Sequence, residues 1–355
     1  MAVHFHALKI RSVKKETADC VSVSFDVPAE LADAFQFKEG QNITLRKIIN
    51  GEELRRSYSV CNAPHEGELK VAVKKVEGGI FSAFANESLQ AGDVLDVMPP
   101  TGKFNAKNTM GNYLAIASGS GITPVISIIK HVLHTQPEST FTLIYGNKSR
   151  ASIIFFEEIE ALKNKFMERF SCVNILSRER TDAALNYGRV NGDKLASMRQ
   201  LISFSSFNDI YICGPEEMIF SSAAFLESEG VAKSNIHFEL FTTPGQAKAT
   251  KANISLAKES GPKSRITVKL DGRSFDFDLG YDNDNILDAA LQQGADLPYA
   301  CKGGVCCTCR ARIVEGEVRM DVNYALEEEE LEQGYILTCQ SHPLTEKVVV
   351  DFDIK

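Results

Sequence analysis

No apolar run in this 355-residue chain reaches the roughly 18 residues that a membrane-spanning helix needs, which excludes a helical membrane protein. The opening stretch MAVHFHALKIRSVKK has no apolar core of the signal-peptide kind, so the cytoplasm is the expected compartment. A disulfide framework is missing too, since nine cysteines lie scattered along the chain. Positive charge is not in excess. Against 39 Lys+Arg stand 47 Asp+Glu, a net charge of −8, so nucleic acid is not an expected partner. Internal repeats are absent, and the single low-complexity tract, Glu327–Glu330, reads as an exposed helix face. What remains is ordinary globular material. A hydrophobic fraction of 44% suffices for sizeable cores, and the length suggests two or three domains.

The negative charge is unevenly placed. Residues 263–355 carry 18 acids against 10 bases, and residues 1–262 carry 29 of each. Such a tail reads either as a solvated face or as a docking surface for a basic partner.

The same tail holds Cys301, Cys306, Cys309 and Cys339, in YACKGGVCCTCRARI and YILTCQ. The spacing C-x4-C-x2-C, with a distant fourth cysteine, is the plant-type 2Fe-2S pattern. Two irons need four thiolates, so a tight loop must present three sulfurs on one side. Gly303 and Gly304 can take backbone angles closed to other residues and free amides to point at sulfur. Structural zinc is the alternative. It favours two C-x2-4-C pairs, and this segment has one pair plus a four-residue gap. Cys307, between the two close ligands, reads as a bystander thiol. A cluster of this type moves one electron at a time, so the rest of the chain should supply a source and a destination.

Residues 1–108 contain short β-rich runs at regular spacing, FHALKIRSV, CVSVSFDV, NITLRKII, RSYSVCN, LKVAVKKV and VLDVMPP. They predict an antiparallel barrel with one helix at FSAFANESL. In residues 109–242 the apolar runs YLAIAS, FTLIYG, VNILS and DIYICG alternate with helical stretches. That alternation predicts a doubly wound α/β domain with a parallel sheet. Residues 243–262, rich in small and charged residues, read as a linker. In residues 263–355, RITVKLDGRSFDFDL predicts a hairpin around Asp271-Gly272. NILDAALQQG predicts a helix, and KVVVDFDI a closing strand.

Arg56-Ser57-Tyr58-Ser59 ends a predicted strand. Tyr58 offers a flat face for stacking, and the Arg56 fork matches a pyrophosphate. Val73 and Lys74, at the end of LKVAVKKV, are further candidate cofactor contacts. Gly78-Gly79-Ile80-Phe81-Ser82 opens the predicted helix. Glycines at a helix start free amides for a phosphate, which the helix dipole favours. A plain loop with Ser82 as N-cap is the alternative. With GDVLDVMPPTGKF beyond, these motifs resemble the ferredoxin–NADP reductase family, whose barrel carries an R-x-Y-S flavin motif. The resemblance implies that Tyr58 stacks on the isoalloxazine and that Ser59 hydrogen-bonds the flavin nitrogen that receives hydride. A second phosphate site favours FAD over FMN.

Gly119-Ser120-Gly121-Ile122-Thr123-Pro124 follows a strand and precedes a helix. Proline stands where the dinucleotide fingerprint has its third glycine, yet a glycine-lined turn still brings backbone close to a pyrophosphate. A packing turn is the alternative, and Pro124 suits the first helical position. By the same resemblance, Cys213-Gly214-Pro215 is the second nicotinamide motif, with Cys213 beside the carbon that gives up hydride. Without it, Cys213 reads as a small buried hydrophobe. Glu239 and Phe241 match the spacing of a glutamate and terminal aromatic that lie near the flavin in plant-type reductases. Phenylalanine replaces tyrosine here and the chain continues. Ser177-Arg178 matches the pair that holds the 2′-phosphate in NADP-specific members, with Lys148 as a second positive charge. NADPH is therefore the expected donor, and a merely exposed Arg178 the alternative.

Over its whole length the chain resembles the reductase subunits of bacterial di-iron multicomponent enzymes of the phenylacetyl-CoA epoxygenase type. The resemblance implies a C-terminal β-grasp ferredoxin-like domain. It also implies electron flow from NADPH through FAD and the 2Fe-2S cluster to an oxygenase component, with the cofactors carrying the hard chemistry. A reductase for another oxygenase, hydroxylase or desaturase, or a stand-alone NADPH diaphorase, are the competing readings.

Overall fold

The structure, a computed structural model, describes residues 4–107, 110–241 and 263–354. The expected linker, residues 243–262, lies outside the described residues. Two compact units emerge. Residues 6–54 and 58–241 form the larger, and residues 263–354 with 4–5 and 55–57 the smaller.

The larger unit begins with a six-stranded sheet. Its strands are β1 (His6–Thr17), β2 (Cys20–Asp26), β3 (Asn42–Ile49), β4 (Glu52–Ser59), β5 (Leu69–Lys74) and β6 (Val94–Val97), in the order β4-β3-β6-β1-β2-β5. Pairing is antiparallel. A bridge between Val60 and Val71 joins the chain just past β4 to β5 and closes the barrel. The alternation in the sequence explains the core. Leu8 and Ile10, Val21, Val23 and Phe25, Ile43 and Leu45, and Val71 and Val73 are every second residue, and all are buried. Helix α1 (Ile80–Glu87) adds Phe81 and Ala85, one turn apart, to the same core.

A five-stranded sheet follows, built from β7 (Asn112–Ser118), β8 (Thr140–Asn147), β9 (Phe170–Leu176), β10 (Asp209–Gly214) and β11 (Ile236–Leu240). The order is β11-β10-β7-β8-β9, and every pairing is parallel. Tyr113 through Ala117 are all fully buried, as expected of a strand covered on both faces. The connecting helices are α2 (Ile122–Thr135), α3 (Phe156–Lys165), α4 (Gly192–Ala196) and α5 (Glu216–Ser228). After β7 the chain winds outward to β8 and β9, then returns to β10 and β11 on the other side. This reversal leaves a crevice at the carboxyl ends of β7 and β10, the place where open α/β sheets bind ligands.

The smaller unit is a β-grasp. Strands β12 (Lys263–Leu270) and β13 (Arg273–Gly280) form the expected hairpin, with Asp271 (φ 53°) and Gly272 (φ 68°) at its tip. Positive φ at both central residues is the two-residue turn that matches strand twist. Next come α6 (Ile286–Gln292), β14 (Arg310–Glu315), β15 (Val318–Met320), α7 (Glu328–Glu332), β16 (Tyr335–Leu337), β17 (Ser341–Pro343) and β18 (Lys347–Asp351). The main sheet runs β13-β12-β18-β14-β16. The closing strand β18 therefore lies in the middle of the sheet, parallel to β12. Ile286, Leu287, Ala289 and Ala290 of α6 are buried.

The four-glutamate run departs from its sequence reading. Glu327, Glu328 and Glu329 are exposed, but Glu330 is buried and pairs with Arg310. Its other oxygen accepts the backbone N–H of Glu327 at 3.1 Å, so one side chain caps α7 and neutralises an arginine. Four consecutive acids point around the whole helix, and composition cannot say which one faces the core. Among the described residues no helix is long and apolar enough to cross a membrane.

Candidate functional site

The four cysteines of the smaller unit converge. Cys306 Sγ lies 3.1 Å from Cys301 Sγ, and Cys339 hydrogen-bonds both Cys301 and Cys309. The loop folds around them through two residues at positive φ, Lys302 (50°) and Gly304 (74°). Gly303, expected to need such an angle, does not take it, and Lys302 does. Gly304 is obligatory, because a Cβ there would sit 3.0 Å from the Val322 carbonyl oxygen and 3.2 Å from Gln340 Cγ. The amide of Gly303 donates to Cys301 Sγ at 3.4 Å. Cys307 is spent elsewhere, donating to the Ala325 carbonyl at 3.3 Å. The hydrogen bond to Cys301, together with burial, pushes the Cys306 thiol well above its usual range. Four thiols this close cannot all ionise unless a cation compensates them. A soft, all-sulfur donor set with amide N–H groups aimed at sulfur fits a 2Fe-2S cluster.

In the larger unit, β4 delivers Tyr58 and Ser59. The half-buried Tyr58 ring packs on Phe81, centroids 5.8 Å apart and tilted 33°. The side chains of Phe81 and Val73 are core residues of the barrel. They support Tyr58 and the strand from behind, and the Val73 carbonyl is already taken by Asn86 Nδ2 at 3.0 Å. Arg56 donates to the Arg55 carbonyl at 2.7 Å, and Ser57 is half-buried. Gly79, rather than Ser82, is the N-cap of α1. The Ser82 hydroxyl accepts from Val76 N–H and donates to the Gly79 carbonyl, both at 3.1 Å. A Cβ on Gly79 would lie 2.5 Å from that hydroxyl, so an alanine there would displace Ser82 from its two hydrogen bonds. The exposed Ile80 borders a shallow cavity of about 560 Å³ together with Asp19, Lys75, Gly78 and Gly79.

The turn after β7 packs on β10 backbone to backbone. A Cβ on Gly121 would fall 2.0 Å from the Cys213 carbonyl oxygen. Gly119, at φ 55°, has Lys74 Nζ next to its open side, 3.6 Å from where a Cβ would be. The barrel strand end thereby reaches the turn after β7. Thr123 Oγ1 donates to the Ser120 carbonyl at 3.0 Å. Pro124 is the third residue of α2, not the first as expected. The position still suits proline, because the first four N–H groups of a helix have no intrahelical partner. Tyr145, passed over in the sequence, donates its hydroxyl to the Gly119 carbonyl at 2.9 Å and braces the turn. Across the crevice, Gly214 leaves room for Ser118, whose Cβ is 3.1 Å from where a Cβ would stand, with Pro215 capping α5.

Three of the four candidate catalytic residues meet. Ser59 Oγ donates to Glu239 Oε2 at 3.2 Å, a contact across 180 residues of chain. Cys213 on β10 pairs in register with Glu239 on β11. Burial pushes the Glu239 carboxyl up to about 8, with the Ser59 hydroxyl pulling the other way. Burial and the Glu239 charge raise the Cys213 thiol well above its usual range. Phe241, just past β11, is exposed. At the far ends of β8 and β9, the N–H of Ser177 donates to Asn147 O at 2.9 Å and that of Arg178 to Lys148 O at 2.8 Å. The side chains of Arg178 and Lys148 are both exposed there.

Comparisons with known proteins divide the chain the same way. Family models match for an oxidoreductase FAD-binding domain at residues 7–106, an oxidoreductase NAD-binding domain at 115–223, and a 2Fe-2S iron-sulfur cluster binding domain at 268–344. The chain is 46% identical to a subunit of 1,2-phenylacetyl-CoA epoxidase from Escherichia coli (strain K12), over 99% of this chain and 98% of that protein. It is 32% identical to the ferredoxin reductase component of 3-ketosteroid-9-alpha-monooxygenase from Rhodococcus rhodochrous, over 97% and 96% respectively. Among solved structures, phthalate dioxygenase reductase matches with a TM-score of 0.59 at 21% identity, covering 98% of each chain. At that identity the likeness concerns fold alone.

Proposed function

Because this chain belongs to the family of flavin iron–sulfur reductases that includes the phenylacetyl-CoA epoxidase relative, we propose that it draws electrons from NADPH and delivers them to a di-iron oxygenase acting on phenylacetyl-CoA. The chain is an oxidoreductase that passes electrons from a pyridine nucleotide through FAD and a 2Fe-2S cluster to an oxygenase. The flavin, nicotinamide and cluster parts are assigned to residues 1–108, 109–242 and 263–355. A reducing compartment such as the cytoplasm suits nine cysteines that form no disulfide among the described residues, four of them read as cluster ligands.

The observation that carries the reading is the junction of Ser59 with Glu239 and Cys213, where the barrel meets the switch-point crevice. When bound, FAD and the cluster would supply the conversion of a two-electron hydride donor into single electrons. The residues do the rest. Tyr58 presents a ring face backed by Phe81. Gly119, Gly121 and Thr123 shape the turn for a pyrophosphate, and Gly214 and Pro215 line the opposite side. Ser59 and Glu239 hold a proton between them at Oγ and Oε2, and Cys213 fills the crevice floor against them.

Flavin reduction by nucleotide is expected to change with pH around a midpoint near 8, where Glu239 titrates. A carboxyl raised in the folded state binds a proton that the unfolded chain releases. Its contribution to stability is therefore lost as pH rises from its ordinary range through about 8. Glu239→Gln should flatten the rate profile in anaerobic stopped-flow. An unchanged midpoint in that variant would remove Glu239 from the site.

Preference for NADPH rests on Arg178, whose exposed guanidinium has no hydrogen-bond or ion-pair partner among the described residues. Losing one charge-assisted contact costs about 1.5–3 kcal/mol, so Arg178→Ala should raise the KM for NADPH roughly 10- to 150-fold. The KM for NADH should barely move. Equal wild-type efficiency with both nucleotides would exclude this role.

The partner is tested by reconstitution. The purified reductase should support coupled epoxidation by a phenylacetyl-CoA oxygenase, measured as product rather than as NADPH loss. Support for a Rieske oxygenase or desaturase instead would move the assignment to another partner.

A further inference from the structure

Gln340 follows the fourth cysteine, and neither the cysteine spacing nor the flavin motifs give it a role. Its side-chain amide donates to the Lys302 carbonyl at 3.1 Å and to the Cys339 carbonyl at 2.9 Å, and lies 3.7 Å from Cys339 Sγ. Lys302 is not at rest. It is a non-glycine residue at φ 50°, a strained conformation that its surroundings must impose. Its ammonium is held by Asp288 at 2.7 Å and its carbonyl by Gln340.

The carbonyl of Lys302 and the N–H of Gly303 belong to one planar trans peptide, so they point in opposite directions. Fixing the oxygen on Gln340 therefore aims the Gly303 N–H the other way, at Cys301 Sγ, where it donates at 3.4 Å. We propose that Gln340 is a positioning residue that sets the reduction potential of the cluster, by orienting the Lys302–Gly303 peptide toward Cys301 and by placing its own N–H beside Cys339. The inference rests on the reading of the four cysteines as ligands of a 2Fe-2S cluster. One residue thus reaches a sulfur in each of two close thiol pairs, Cys301 with Cys306 and Cys339 with Cys309. Hydrogen bonds to cluster sulfurs favour the more negative, reduced state, because donors stabilise added charge. Gln340 holds the potential up.

The test uses the full chain carrying flavin and cluster, with Gln340→Leu and Gln340→Glu. Leucine removes the donor. Glutamate keeps the shape, and as a carboxylate it cannot donate. Iron and sulfide are assayed, and redox titrations are followed by electron paramagnetic resonance. Both variants should keep wild-type iron and sulfide. Their one-electron equilibrium should shift toward the oxidised cluster by roughly three- to tenfold, the upper figure being 59 mV. Glutamate should shift it further than leucine, and the flavin potential should stay in place. A full cluster at an unchanged potential overturns the proposal. So does loss of iron from both variants with flavin retained, which would make Gln340 a seating residue only. A wild-type protein without stoichiometric iron and sulfide would instead overturn the cluster reading beneath it.

Discussion

Cys339→Ser is expected to abolish the 2Fe-2S absorption and paramagnetic signals and bring electron delivery to the oxygenase to baseline, while FAD stays bound. Cys339 is 2% exposed and hydrogen-bonds both Cys301 and Cys309, so its sulfur is part of the buried donor set. A serine hydroxyl is harder and stays protonated at neutral pH, whereas the ligand must be an anion. Cys301→Ser, Cys306→Ser and Cys309→Ser should behave alike. The flavin should survive because all four cysteines lie in the smaller unit, and the barrel core of Leu8, Val23, Ile43 and Val71 in the larger. Nucleotide-dependent reduction of small dyes should persist. Cys307→Ser is the internal control and should keep the cluster, since its thiol is bound to Ala325. Normal iron and sulfide in any of the four ligand variants would contradict the assignment.

Gly121→Ala should cut nucleotide-driven flavin reduction on the order of 100-fold, because sub-ångström placement at a reacting centre is worth that much. Dithionite should still reduce flavin and cluster. The added Cβ would meet the Cys213 carbonyl oxygen at 2.0 Å and its carbon at 2.4 Å. Those are backbone atoms of β10 and cannot rotate aside. The strain should therefore exceed the roughly 1–3 kcal/mol typical of an extra methylene in a packed core. Relief can come only from moving the turn away from Cys213, which opens the crevice at the carboxyl ends of β7 and β10. Gly119→Ala supplies the contrast. Its φ of 55° costs about 1–2 kcal/mol for an alanine, but the nearest atom is the flexible end of Lys74 at 3.6 Å. Its loss of rate should be several-fold. Equal effects of the two substitutions would show that close packing on β10 is not what Gly121 provides.

Much of the fold was legible because the patterns are local. Alternation in CVSVSF and LKVAVK marks barrel strands whose every second residue is buried. Continuous apolar runs such as YLAIA mark strands covered on both faces. Asp-Gly between two alternating runs marks the hairpin tip. The helix α4 (Gly192–Ala196) is too short to show a period. Strand β11 is half-buried at the sheet edge, so HFEL carries little apolar signal. Glycine spacing identified turns without saying why each glycine is needed. Gly121 answers to β10, Gly79 to Ser82 and Gly304 to Val322. In the cluster loop the glycine pair suggested left-handed backbone at Gly303, and the loop places it at Lys302.

The sequence by itself determined the chemistry this chain carries. Three of the four cysteines, an R-x-Y-S strand end and glycine-lined helix starts are short-range arrangements that a few neighbouring residues specify. Only the tertiary structure decided which side chains act together. Ser59 and Glu239 stand 180 residues apart, and they meet because the parallel sheet reverses its order after β9 and sets β11 beside β10. Glu330 is set apart from its acidic neighbours by Arg310, and Gln340 gains its role from a carbonyl 38 residues earlier in the chain. Such contacts depend on sheet order and on the burial of one helix face, and linear spacing encodes neither.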